Sequence, residues 1–528
     1  MSGITRAAQA AMRVWLRPRA RAFARDLRAP AAAQRRTLGE ILQRLAETEY
    51  GRAHGVRGDA GVAEFRARLP IVSYADLAPW MERQMTRLPA LTPERVLFYE
   101  RTSGSEGPVK HIPCTVSLRH SFTELFLLWV HDLLASGPRL ETARAWISTS
   151  PAAFPRATTA AGVPIGIDTD LDYLGGWPRR ALSPFLALPS GVARLVDPAD
   201  YTYVAAVFLF AGEPEVVSVW NPSLLLVLLD ALASHRDEVA RDVRAGQVVR
   251  GGMAFRIARR PGPAALAALA HDPVEWREVL PALRLVSCWA DGPAADGAAQ
   301  LRRRLPGVMV QGKGLLATEA PMTVPLVLAG GCVPLVHEVY FEFLDDAGAV
   351  GGIEDLQPGQ AYSVVITQRG GLHRYRIGDR IRVTHRYLGA PCLAFEGREG
   401  AVSDLVGEKL GEPFVEAALG RLSLDDCRFR SLVAVPANGG AAHYVLVVDG
   451  PAALPPELPQ RLDAELMRAV RYAEARRLGQ LGAPRVRVVP FAARHFLDGR
   501  AELGTRRGAV KPATLVREPD VVRRLLGI

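Results

Sequence analysis

The chain has few cysteines, very little lysine and no long apolar run. Its five cysteines, Cys114, Cys288, Cys332, Cys392 and Cys427, are odd in number, widely spread and free of any C-x-x-C pair. That argues against both a disulfide framework and a structural zinc site, and a reducing cytoplasm is the expected location. The longest apolar stretches, Val204 to Ala211 and Leu224 to Ala233, are too short for a membrane span and read as core elements. Internal repeats and low-complexity tracts are missing, as are the G-x-S-x-G and H-E-x-x-H patterns, so no covalent protein nucleophile is indicated. Nor are there long basic runs interleaved with aromatics. The net charge of +10, carried almost wholly by arginine, therefore suits small anionic ligands better than nucleic acid.

What is present is the composition of a soluble globular protein: 528 residues, 49% hydrophobic and 23% charged. This length exceeds what one core usually fills, so two or more domains are expected. Arg6, Arg13, Arg17, Arg19, Arg21 and Arg25 precede the first acid, Asp26. Such a segment overlaps in composition with an organelle transit peptide, but an amphipathic helix packed on the body is preferred.

Helical spacing appears from Gln34 to Leu45 and again from Leu118 to Leu134, the latter with Ser117 as the expected cap. Asn221 and Pro222 open a third, strongly apolar helix to Leu232. With a buried strand at Leu283 to Trp289, this half reads as α/β layers around a mostly parallel sheet. After Leu335 strand-like segments dominate: Val336 to Leu344, Ala361 to Thr367, Arg380 to Thr384 and Cys392 to Phe395. The run Glu396-Gly397-Arg398-Glu399-Gly400 interrupts them and is the expected hinge. Residues 1–396 are thus expected to form a large domain, and 397–528 a small α+β lid with strands at Ser431 to Val435, His443 to Val448 and Val486 to Val489 and a helix near Pro456 to Leu478.

Four segments carry chemistry. Thr102-Ser103-Gly104-Ser105-Glu106-Gly107-Pro108-Val109-Lys110 follows the strand-like Val96 to Tyr99. Its glycines let backbone N-H groups approach an anion, its hydroxyls add donors, and Lys110 brings a mobile positive charge. Taken alone it is equally a surface turn. The spacing matches neither the P-loop nor G-x-G-x-x-G. Ala317-Thr318-Glu319 lies just past the apolar Val308-Met309-Val310, where open α/β sheets bind ligands. Thr318 suits a phosphate and Glu319 a magnesium ion, against the alternative of a solvated pair at a helix start. Arg374-Tyr375-Arg376-Ile377-Gly378-Asp379 places two arginines on one face of an extended segment and ends in a turn bearing a carboxylate. Such a carboxylate can accept the hydroxyls of a ribose, while the arginines suit either phosphate oxygens or structural ion pairs. Last, Lys511 stands alone in an arginine-rich tail, as a compact point charge would where reach matters.

In joint order and spacing these segments resemble the adenylate-forming acyl-acid amido synthetases of auxin and jasmonate conjugation, with bacterial relatives. Thr48-Glu49-Tyr50-Gly51-Arg52 and Phe65-x-x-x-Leu69-Pro70-Ile71-x-x-Tyr74 look like that family's N-terminal blocks. Phe395-x-x-Arg398 with Glu408-Lys409-Leu410-x-Glu412 looks like its interdomain hinge. Glu106 departs, standing where the family loop usually has serine or threonine. The resemblance implies an α/β adenylate-forming fold with a small mobile C-terminal domain. It also implies ATP and Mg2+, a carboxylic acid, and an amine, usually of an amino acid. Under it Thr102, Ser103, Gly104, Ser105, Gly107, Thr318, Glu319, Asp379 and Arg398 bind ATP, Glu319 holds the metal, and Lys110 and Lys511 are catalytic. An acyl-CoA ligase shares the first half-reaction, and a nucleotide-binding member without turnover is a further alternative. The acid, the amine and the oligomeric state stay open.

Overall fold

A computed structural model covers residues 1–528 and describes all but 1, 87–88, 103–109, 149–156, 168–172, 176–179, 181–182, 196, 400–401, 404, 407, 409, 423, 437–441, 451–453, 478–480, 504–509 and 511–512. The chain divides into two compact units. One comprises Met1–Ala143, Phe154–Leu186 and Gly312–Phe395, and the other Arg144–Ala153, Ala187–Gln311 and Glu396–Ile528.

In the first unit the arginine-rich N-terminus is a helix, Ser2–Arg28, that buries Leu16, Phe23 and Leu27 on one face. The next helix, Pro30–Leu45, turns Leu38, Ile41, Leu42 and Leu45 inward. It carries a buried Gln34, whose Nε2 donates to the Val336 and Val339 carbonyls (2.8 and 2.7 Å) while its Oε1 accepts from Phe341 N (2.7 Å). The amide is thus held by the strand Val339–Leu344 and the turn that precedes it, with its nitrogen and oxygen both bonded, as burial requires. The helix expected from Leu118 runs Val116–Ser136. Its cap is Thr115, whose hydroxyl accepts from Leu118 N at 3.2 Å, while the expected cap, Ser117, bonds Glu94.

The β-rich stretch after Leu335 includes a five-stranded sheet holding Val350–Gly351, Val339–Leu344, Ala361–Gln368, Tyr375–Tyr387 and Ala390–Arg398 in that order. Neighbouring strands of the first four pair antiparallel. The last strand continues through Arg398, so the interruption expected at Glu396 comes later than the glycine suggested.

The second unit contains the parallel pairing expected of an α/β layer. Ala145–Ile147 pairs with Val216–Ser218, and that strand with Leu285–Cys288, both in parallel, with Met309–Gly312 at the edge. Helix Pro222–Ser234 packs here, capped as expected by Asn221, whose side chain accepts from Ser223 N at 2.9 Å. The C-terminal sheet orders Arg485–Val488, His443–Asp449, Phe429–Val435 and Leu515–Val516. The single helix expected near 456–478 is two, Leu458–Leu466 and Val470–Arg477. All five cysteines are free and buried, and no described helix is long and apolar enough to cross a membrane.

Candidate active site

The strands Val96–Thr102 and Lys110–Thr115 pair antiparallel, with Thr102 opposite Lys110. Ser103, Gly104, Ser105, Glu106 and Gly107, which join them, lie outside the described residues. Lys110 Nζ donates to the Tyr375 hydroxyl at 3.1 Å and stands 5.7 Å from the Tyr74 ring centre. The Tyr74 hydroxyl in turn accepts from His111 N at 2.7 Å. Burial pushes the Tyr74 pKa up, opposed by the hydrogen bond to His111 and reinforced by the Glu82 and Glu319 carboxylates.

Glu319 is therefore in the electrostatic reach of the same tyrosine. It forms with Thr318 the two-residue connection of a short ribbon, in which Leu316 pairs with Pro321 and Ala317 with Ala320. A tight hairpin rather than a helix start positions this pair, and Glu319 is buried rather than solvated, 6% exposed. Its carboxylate oxygens are not among the enclosed side-chain atoms that lack a hydrogen-bond partner. Among the described residues no group of three or more His, Cys, Asp or Glu suits a metal. A single carboxylate at a hairpin turn is the kind of protein ligand Mg2+ commonly takes, the rest of its shell coming from substrate phosphates and water.

The segment beginning at Arg374 is not a continuous face of two arginines. Arg374 has φ +48° and is buried, so the chain enters the strand from a left-handed turn. Its guanidinium grips Glu342 through Nε (2.8 Å) and Nη2 (3.0 Å), and Nη1 donates to the Leu69 carbonyl at 2.6 Å. Arg376, two residues on, is exposed. Of phosphate contact and structural ion pair, the ion pair is what Arg374 forms. Asp379 sits within the strand Tyr375–Tyr387 rather than in a closing turn, and is 3% exposed. The irregularity is a register shift opposite Ser363 to Val365, with φ +80° at Gly378, a conformation that favours glycine.

In the second unit, Arg398 ends its strand half-buried. Lys511 lies outside the described residues, but both its flanks are anchored. Asn221 Nδ2 donates to the Val510 carbonyl at 3.0 Å, and Thr514 N donates to Glu412 Oε1 at 2.7 Å. Burial raises the Glu412 pKa against the hydrogen bonds from Thr514 and Leu515. Lys110 thus stands at two tyrosines, Glu319 acts electrostatically on one of them, Tyr74, and Asp379 is four residues along the strand from the other, Tyr375. Sequence reasoning did not foresee Tyr375 and Tyr74 as partners of Lys110, or Asn221 as a partner of Val510. The only available signal was that these residues fall inside segments already singled out for their spacing.

The GH3 family N-terminal domain model matches residues 19–310, and the GH3 family central domain model matches residues 332–398. A probable indole-3-acetic acid-amido synthetase, GH3.12 of Oryza sativa subsp. japonica, is 26% identical over 91% of this chain and 91% of its own length. Among solved structures, the AtGH3.15 acyl acid amido synthetase in complex with 2,4-DB superposes with a TM-score of 0.83 at 19% identity, covering 96% of this chain and 95% of that one. A 2-hydroxyisobutyryl-CoA ligase in the postadenylation state with 2-HIB-AMP gives 0.53 at 15% identity, covering 94% and 90%. The matched domains take in more than half of the sequence and the superpositions nearly all of it; the chain has the adenylate-forming fold and belongs to the GH3 family.

Proposed function

We propose that this chain activates a carboxylic acid with ATP and then passes the acyl group to the amine of an amino acid. The acid's carboxylate oxygen attacks the α-phosphorus, the bond to the β-phosphate breaks, and pyrophosphate leaves. The amine nitrogen then attacks the acyl carbonyl, AMP departs with the bonding electrons, and the amine loses a proton. In the first step nucleophile and target are both negative, so catalysis depends mainly on charge neutralisation and alignment.

The residues have matching roles. Backbone and hydroxyl groups of Thr102, Ser103, Gly104, Ser105 and Gly107 cradle the β- and γ-phosphates, and Lys110 offsets charge on the departing pyrophosphate. Thr318 touches the α-phosphate, Asp379 accepts the ribose hydroxyls, and Arg398 joins the nucleotide site from the hinge. Glu319 would hold Mg2+, which supplies further neutralisation of the phosphates. Lys511, carried by a lid of residues 397–528, neutralises the attack and is withdrawn for the second step. The observation that carries the reading is the meeting of Lys110 with Tyr375, at the head of the strand that bears Asp379, with the Glu319 carboxylate acting electrostatically on Tyr74, the other tyrosine at Lys110.

Exchange of labelled pyrophosphate into ATP, run with a panel of acids, tests the reading. Acid-dependent exchange is expected, and Lys511→Ala should slow it at least about a hundredfold with ATP binding little changed. No exchange with any acid would overturn the adenylation step. Replacing amino acids by coenzyme A as acceptor separates amide from thioester formation.

A further inference from the structure

The reaction described above gives no role to the Phe65-x-x-x-Leu69-Pro70-Ile71-x-x-Tyr74 block. Its backbone is joined to the strand that begins at Tyr375. Val72 N donates to the Arg374 carbonyl at 3.0 Å, and Arg376 N donates to the Val72 carbonyl at 2.8 Å. The Arg374 guanidinium adds bonds to the Arg66 and Leu69 carbonyls at 3.0 and 2.6 Å. Two tyrosines, one from each segment, are thereby delivered to one side chain. Lys110 Nζ is 3.1 Å from the Tyr375 hydroxyl, 5.7 Å from the Tyr74 ring centre and 5.9 Å from that of Tyr375. Tyr375 is fully buried, and the Tyr74 hydroxyl is tied to the backbone N-H next to Lys110.

An ammonium has three donors and a flexible four-carbon stem. One donor spent on a phenol oxygen, with ring faces nearby, fixes the stem and leaves two donors for an anion. A guanidinium is planar and too broad to substitute for it. The point has force in a chain whose only lysines are Lys110, Lys313, Lys409 and Lys511. We propose that Tyr74 and Tyr375 are positioning residues that clamp the Lys110 ammonium at the first position of the strand Lys110–Thr115, and that the Phe65–Tyr74 block exists to build this clamp. The proposal rests on the adenylation reading for its catalytic consequence but not for its structural one.

Two measurements separate these. Trace acetylation of the native full-length protein, read by mass spectrometry, reports the reactivity of each of the four lysines against the other three. In Tyr375→Phe, which keeps the buried ring, and in Tyr74→Leu, the Lys110 amine should label several-fold faster while the others are unchanged. Wild-type labelling of Lys110 in both variants would overturn the clamp, whether or not the protein turns over. In the exchange assay Tyr375→Phe should lower kcat about tenfold with the KM for ATP nearly unchanged. The same change in a Lys110→Met background should add nothing. A loss that persists undiminished without Lys110 would assign Tyr375 a merely structural role. Faster Lys110 labelling in variants of a protein that shows no exchange would leave the clamp standing and remove the reaction.

Discussion

His373 stands next to the arginine that anchors the Tyr375 strand, and it is fully enclosed. Its Nε2 bonds the Leu91 carbonyl at 3.0 Å, while Nδ1 is buried without a hydrogen-bond partner among the described residues. Burial pushes its pKa down to about 4, the Leu91 bond opposing. The unfolded chain protonates this imidazole below about pH 6.5, whereas the folded chain does so only below about 4. Its contribution is therefore fully present above pH 6.5, is lost as the pH falls, and levels off near 4. Integrated over that window the loss is about 3 kcal/mol. Urea unfolding at pH 7 and pH 4.5 should show a smaller acid-induced loss in His373→Gln than in wild type, and equal losses would refute it. At this scale the sequence was informative only where a residue belongs to a motif. Lys110, Glu319 and Asp379 were singled out from spacing, since glycines and strand ends mark them. Their surroundings were not. The partner of Lys110 is 265 positions away, and that of Asn221 is 289.

Among elements, the strand that carries Asp379 is held at its start by an ion pair. Arg374 and Glu342 are 6% and 1% exposed at their side chains, and Arg66, 29% exposed, adds a second guanidinium to Glu342 at 2.8 Å. The pair stabilises a left-handed residue that is not glycine, a conformation most side chains avoid. Removing one partner leaves a buried charge uncompensated. Glu342→Gln should therefore lose roughly 3 kcal/mol or more of unfolding free energy, and a wild-type denaturation midpoint would show the staple to be dispensable. The elements were largely legible in the sequence. Periodicity located the helices from Gln34, Leu118 and Pro222 because each buries one stripe, and the Asn221-Pro222 cap was read from chemistry alone. One error has a clear physical source. Tyr375–Tyr387 was shortened because Gly378-Asp379 resembles a turn, when a glycine at φ +80° instead shifts the register inside a continuing strand.

For the whole molecule, residues 397–528 were expected to form a lid, and the contacts that such a lid must exchange are specific. Within the second unit, Gln300 Nε2 donates to the Cys427 and Arg428 carbonyls at 3.1 and 3.0 Å, and Arg303 Nη2 donates to the Asp425 carbonyl at 3.1 Å. Arg428 lies 3.5 Å from Asp230, and Asn221 adds its bond to Val510. All but the Arg428–Asp230 ion pair are side chains grasping backbone oxygens, each worth about 1 kcal/mol net because water can replace them. With Val227 adding one apolar contact to the cluster around Val433 and Val510, polar contacts of this kind can separate and re-form more readily than a large apolar interface. Helix Ala295–Arg304, which carries Arg303, lies outside 397–528, whereas Asp425 lies within it. Arg303→Cys with Asp425→Cys places two exposed thiols within an arginine's reach of each other, and a bifunctional methanethiosulfonate reagent of that length bridges them. The bridged variant should retain one partial reaction, either acid-dependent exchange or transfer from preformed acyl-adenylate. Full amide formation should fall about tenfold or more and recover on reduction, since the proposed cycle needs both lid positions. Wild type treated with the same reagent controls for the native cysteines. Amide turnover undiminished in the bridged protein would mean that 397–528 stays on this helix throughout, and Lys511 would then have to act without a swing.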